Sequence, residues 1–259
     1  AKSGKIALYG TGAYNTVKGG SGSGDVYLKA GSDWSVLTAF NNAGYDVVNK
    51  DFLVECKAYA AANGGQEDVY DVAAVQAAAA QSDTAIFVIS RTSAENADRK
   101  AEKGDYYLSD SEAKNLAIVA SAYKKVVVVM NVGGVIDTNF YHGKAGRGAV
   151  DTLNRKKIEG LGALLLMSQA GQEGGNALVK VLNGTVNPSG KLTDTWAVEY
   201  SDYASSAYFA ANNGKDENGN IITTGGDNKE EYYTDDIFVG YRYFDTFGID
   251  VAYPFGYGE

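Results

Sequence analysis

The sequence predicts an α/β fold, a mainly parallel sheet sandwiched between helices, with a long irregular C-terminal segment. Three observations carry this. Apolar strand-like runs alternate with helical patterns at short spacing, the signature of repeated strand–helix–strand units. The run Lys125-Val-Val-Val-Val-Met130 shows no polar alternation, so both of its faces are covered, as in a parallel sheet. From residue 198 onward the composition turns aromatic and polar, and the alternation stops.

Taken in order, residues 4–9 (Gly-Lys-Ile-Ala-Leu-Tyr) form the first strand and lead into a glycine-rich loop. A helix is expected from about Ser32 to Asn42, with Ser32 as its N-cap, Asp33 at the positive end of the dipole and Gly44 as its stop. Tyr45–Val48 is a short second strand. Residues 50–70 carry little pattern, although Cys56–Ala62 suits a helix. Asp71–Ala80 is an alanine-rich helix and Thr84–Ser90 the third strand. Ser109-Asp-Ser-Glu112 is a capping box that opens a helix to about Tyr123. The buried strand 125–130 follows. Lys144, Arg147, Arg155, Lys156 and Lys157 then make a basic patch, read as a solvated loop and helix face. Ala163–Met167 is the next buried strand, Gly174–Leu182 a helix, Asn187–Gly190 a turn and Lys191–Trp196 an edge strand. Asn218-Gly219 suggests a hairpin turn.

The chain has 259 residues, 45% of them apolar, enough for one large core or two modest ones. No repeat and no clear linker divides it, so residues 1–259 read as one domain with 198–259 as its wrapping tail. A net charge of −9 disfavours nucleic acid and anionic membrane surfaces as partners. No apolar run approaches the ~20 residues of a membrane helix, and the first residues lead straight into a strand, so no leader is expected in this sequence. Cys56 and His142 are the single cysteine and histidine, which leaves no disulfide and no thiolate or multi-histidine metal site. No cofactor is expected. His142, in Tyr-His-Gly-Lys, reads as a surface-loop residue, so acid–base chemistry falls to Asp and Glu. The 19 tyrosines are read mainly as packing for the irregular C-terminal part, with a carbohydrate-facing rim as the functional alternative.

Three stretches invite chemistry. Gly10-Thr-Gly12 begins like a dinucleotide fingerprint but lacks its third glycine, so nucleotide binding is a weak reading, and a Gly/Ser loop suits a sugar equally well. The loop 91–110 offers Glu95, Asp98, Glu102 and Asp105 directly after a buried strand. Glu95 is the candidate acid, and Asp98 is read more simply as a structural ion pair with Arg99. Gln169–Gly175 turns sharply into a helix, with Glu173 favoured as a dipole-stabilised cap rather than a catalyst.

Together these pieces resemble the second domain of glycoside hydrolase family 3, the β-glucosidase and β-xylosidase family. The resemblance rests on Lys18–Asp25, the 91–110 loop, Asn131–Asp137, Gln169–Gly175, Val186–Leu192 with Thr195-Trp196, Asp236–Phe244 and Pro254–Gly258, in family order. It implies an α/β sandwich that packs on a separate (β/α)8 barrel, with the active site between them. The barrel, expected to be absent from this chain, supplies the nucleophilic aspartate. The sandwich supplies the general acid/base, which falls on Glu95. Ser23 matches a loop residue that approaches the sugar. The family usually reads Ser-Gly-Glu-Gly here. This chain has Ser93-Ala-Glu-Asn96, a stiffer loop. Ser32-Asp-Trp34 superficially resembles a barrel nucleophile motif but falls at a helix start. The expected role is the acid/base-supplying sandwich of a retaining β-glycosidase acting on terminal β-linked sugars. The alternative is a catalytically incompetent stand-alone sugar-binding or structural module.

Overall fold

A computed structural model describes residues 4–25, 27–29, 32–92, 99–144, 154–207 and 235–258. Five parallel strands form the main sheet: β1 (Lys5–Tyr9), β2 (Asp46–Val47), β3 (Thr84–Arg91), β4 (Lys125–Val132) and β5 (Leu161–Leu166), in the order β2-β1-β3-β4-β5. Between them run α1 (Thr11–Tyr14), α2 (Val36–Asn42), α3 (Lys50–Ala62), α4 (Val72–Ala79), α5 (Asp110–Ala122) and α6 (Asn139–His142); α7 (Gly174–Leu182) follows the sheet. A two-stranded antiparallel ribbon pairs β6 (Trp196–Ala197) with β7 (Val251–Tyr253), and α8 (Tyr241–Phe247) precedes β7.

The pleat sorts the side chains of β3 into two cores. Ala85, Phe87 and Ile89 pack with Val75 and Ala78 of α4 and Leu116 and Val119 of α5. Ile86 and Val88 pack with Val36 and Phe40 of α2 and Leu178 and Val179 of α7. Helices cover both faces, which is why β3 and β4 read as unbroken apolar runs. Burying each such side chain contributes about 1.5–3 kcal/mol.

β1 runs on to β2 on one side and to β3 on the other, so the winding reverses between β1 and β3. Open α/β sheets leave a crevice at that point, beyond the carboxyl ends of the strands. β2 is too short to cover β1, and the Asn49 side chain completes the pairing. Its Oδ1 accepts from the Leu8 amide at 3.1 Å, and its Nδ2 donates to the Leu8 carbonyl at 2.7 Å. The Gly10-Thr-Gly12 stretch is also explained by packing. Gly10 turns with φ 81°, and a Cβ on Gly12 would stand 2.5 Å from Val88 Cγ1. These glycines let α1 lie directly on β3.

Several expectations need correction. Ser35, not Ser32, caps α2, accepting from the Thr38 amide at 3.1 Å, while Asp33 takes the Ser35 amide at 2.9 Å. The unpatterned 50–70 stretch holds a full helix, α3. β5 is only partly buried because it is the sheet's outer strand. The expected edge strand 191–196 is instead β6, paired with the C-terminal β7 outside the main sheet. The capping box of α5 is present, with Ser109 and Glu112 bonding each other's backbone amides at 3.1 and 2.8 Å. Asn218-Gly219 lies outside the described residues.

Candidate functional site

A cleft of about 520 Å³ opens at the reversal point, beyond β1 and β3. One wall is Thr11 and Tyr14–Val17, which follow β1. The opposite wall is Ser32–Ser35, and Ser90 and Thr92 at the end of β3 close it. Most of the lining is hydroxyl or amide. Trp34 supplies one aromatic surface, fixed by its indole N–H donating to the Thr16 carbonyl at 3.0 Å. The Lys18 ammonium stands 5.7 Å from that ring's centre. Lys57 and Asp33 are its charged members. Burial would raise Asp33, but hydrogen bonds from Ser35 and Thr38 outweigh it and hold the carboxyl below its ordinary value.

Thr92 is the last described residue before the segment carrying the candidate acid. Glu95 and Asp98 lie outside the described residues, and the described residues on either side of that segment are held by ion pairs. At its start, Arg91 is buried and forks onto Glu112 with two bonds of 2.7 Å, while its Nε donates to the Asp105 carbonyl at 2.9 Å. A bidentate, charge-assisted pair of this kind fixes orientation as well as distance. Beyond the segment, Arg99 pairs with Asp105, whose other oxygen accepts from the Lys100 amide at 2.8 Å. Among the described residues the ionic partner of Arg99 is Asp105; the expected pairing with Asp98 falls outside them.

Ser23 lies exposed in a short 3-10 turn, Gly22–Gly24, on the glycine-rich loop. Lys18 and Asp25 bracket that loop with a 2.5 Å ion pair. Its stem meets Asn131, a fully buried residue at the end of β4. Asn131 Oδ1 accepts from the Val17 amide at 2.6 Å, and its Nδ2 donates to the carbonyls of Val17 and Ser168 at 2.9 and 2.8 Å. Ser90 Oγ approaches the same Oδ1 at 3.3 Å. Glu173 occupies the N-cap position of α7, but its carboxylate accepts from Asn176 at 2.8 Å and makes no side-chain cap.

Two buried acidic clusters escaped the sequence reading. Glu67 accepts from the phenols of Tyr14 and Tyr70 at 2.8 and 2.7 Å, and burial raises its carboxyl above the ordinary value. Neighbouring Cys56 is pushed up to about 12, chiefly by burial, so it is not a reactive thiolate. Arg155, expected on a solvated face, is instead 3% exposed, between Asp137 at 3.2 Å and Glu199 at 2.6 Å. Arg147 lies outside the described residues; Lys144, Lys156 and Lys157 are exposed. His142 also departs from expectation. It ends α6 half-buried, its Nδ1 accepts from the Lys144 amide at 2.9 Å, and its buried Nε2 has no partner among the described residues. Burial, then the charges of Lys144 and Arg155, lower it to about 4. Asn131 had a sequence signal, a polar residue ending a fully buried apolar run. Glu67 and Arg155 had none, because Tyr14 lies 53 residues from Glu67, and Asp137 and Glu199 lie 18 and 44 residues from Arg155.

The model of the glycosyl hydrolase family 3 C-terminal domain matches residues 1–241. The chain belongs to glycosyl hydrolase family 3. Over 98% of its length this family 3 domain is 34% identical to β-glucosidase A of Butyrivibrio fibrisolvens, and over 93% it is 34% identical to a β-glucosidase of Ruminococcus albus. It covers 31% and 23% of those two proteins. Among solved structures, β-glucosidase 3B from Thermotoga neapolitana in complex with glycerol superposes with a TM-score of 0.77 and 33% identity, over 100% of this chain and 34% of that one. The chain thus spans about a third or less of these relatives. The α/β sandwich expected from the sequence is the fold observed.

Proposed function

We propose that this family 3 domain supplies the general acid/base of a retaining β-glycosidase acting on terminal β-linked sugars. A second domain, a (β/α)8 barrel, supplies the nucleophilic aspartate. Glu95 protonates the departing glycosidic oxygen in the first step and takes a proton from the attacking water in the second. The barrel aspartate carries the sugar covalently between the steps. Ser23 approaches the sugar from the glycine-rich loop.

The observation that carries this reading is the pair of ionic braces on the described residues that flank 93–98, at the sheet's carboxyl edge. Arg91 is fixed on Glu112 and Arg99 on Asp105, and Ser90 and Thr92 line the hydroxyl-rich cleft. An acid that must transfer a proton twice needs its loop held rigidly. The relatives support the substrate class: they are β-glucosidases, and the Thermotoga neapolitana enzyme has been solved in complex with glucose. The chemistry proposed requires no metal or organic cofactor.

The test is Glu95→Gln in the chain combined with a family 3 barrel. Hydrolysis of glycosides with poor leaving groups should fall by about 10²–10⁴-fold, the usual contribution of acid–base catalysis. Azide should restore turnover of an activated aryl β-glucoside by replacing water as the acceptor. Hydrolysis at the parent rate would reject Glu95. Activity of the chain by itself would reject the division of labour between two domains.

A further inference from the structure

We infer that Asn131 is a positioning residue, which sets the glycine-rich loop against the sheet and so places Ser23 relative to the carboxyl end of β3. The inference rests on the function proposed above and assigns a role to a residue that touches no sugar.

Asn131 stands behind the cleft, at the carboxyl end of β4. Two of its partners, Val17 and Ser90, line the cleft. A third, Ser168, begins the turn after β5 in a left-handed conformation with φ 54°. Such a backbone is strained for a residue with a side chain and persists only where its surroundings hold it. The Asn131 amide holds it through the Ser168 carbonyl. One residue further along the loop, the Lys18 carbonyl accepts from the Gly171 amide at 2.8 Å. Three loops of separate origin therefore meet on one side chain: the stem of 18–25, the end of β3 and the turn 168–171.

The chemistry needs both halves of an amide. Only Asn or Gln can accept from the Val17 amide through one atom while donating to two carbonyls through the other. The extra methylene of Gln does not fit a site already 0% exposed. An aspartate keeps the acceptor but turns an oxygen toward the Val17 and Ser168 carbonyls. The two stem bonds to Val17 imitate strand pairing, so the loop leaves the sheet in one register. The Lys18–Asp25 ion pair then closes it.

The test compares the chain with its Asn131→Asp and Asn131→Leu variants by residue-resolved amide hydrogen exchange. Exchange of the Val17 and Gly171 amides should quicken about tenfold or more, the loss of one to two hydrogen bonds of local protection. The core amides of Val88 and Val128 should change far less. Unaltered exchange at Val17 and Gly171 in both variants would overturn the inference. So would equal acceleration at core and loop, which marks general destabilisation. The activity arm adds a barrel and 4-nitrophenyl β-glucoside. With the Asp variant, assayed well below its own unfolding midpoint, kcat should fall about tenfold. Unchanged kcat beside a loosened loop also overturns the inference. No turnover from the parent chain with the barrel would reject the proposed function alone, because the exchange measurement needs no sugar.

Discussion

Two buried carboxylates in this domain are held by different means. Glu67 faces two phenols, and none of its bonded partners is a cation. Asp137 faces Arg155, which also reaches Glu199, and Asn139 completes its shell at 2.7 Å. Burial raises both carboxyls, in spite of the phenols at Glu67 and the guanidinium at Asp137. The phenol cage uses both carboxylate oxygens of Glu67. The ionic cluster leaves Arg155 Nε, Glu199 Oε1 and Asn139 Oδ1 buried with no partner among the described residues. Neutral donors can satisfy a buried carboxylate of one element, whereas a shared cation ties three segments together at a higher desolvation cost.

Breaking the ionic cluster should have the largest effect. Arg155→Met strands two buried carboxylates and should cost about 3–5 kcal/mol of stability. The check is the urea unfolding midpoint; a loss below about 1 kcal/mol would show that Asp137 and Glu199 find other partners or water. Replacing all three charged residues together with apolar ones of similar volume should restore much of the loss, since removing a whole buried ionic cluster costs far less than halving it.

Glu67→Gln should cost less, about 1 kcal/mol, because the amide retains one acceptor oxygen for one of the two phenols. Its pH dependence sharpens the contrast. The folded state holds the Glu67 proton more tightly than the unfolded chain does. Stability from this group is therefore greatest in acid and declines as pH rises from the ordinary value of 4.5 to the raised folded value. The variant should lack that decline; identical profiles would show that Glu67 is not raised.

His142 should give an effect of similar size, with the opposite slope. Its folded pKa is depressed from 6.5 to about 4, so the unfolded chain takes up the proton first. Stability is then full above pH 6.5 and is lost as pH falls toward 4. His142→Gln should remove this loss, about 1 kcal/mol after solvent screening of a half-buried ring. Thermal melts across that window are the measurement, and an unchanged acid limb in the variant would reject the assignment.

Much of the frame was legible because short-range pattern carried it. The apolar runs of β1, β3 and β4, the Ser109–Glu112 box and the span of α7 are each set by residues a few positions apart. α3 was only partly legible, since it buries just Leu53 and Ala60 and exposes most of its length. Ser32 misled because any serine before an apolar run resembles an N-cap; Asp33 and Ser35 decided the true one by bonding the first free amides. The loop proposed to carry the acid was picked out by its motif, while the Arg91–Glu112 fork just before it joins residues 21 positions apart.

By itself, the sequence determined the layered α/β architecture, the helix boundaries with strong caps, and the family to which the domain belongs. All of these depend on patterns and motifs read along the chain. Only the tertiary structure decided that Asn131 gathers three loops, that Arg155 is buried between two acids, and that Glu67 relies on phenols. A buried polar side chain is tolerated only where partners satisfy it, and here partners remote in sequence do much of this, so the meeting exists only in the folded molecule.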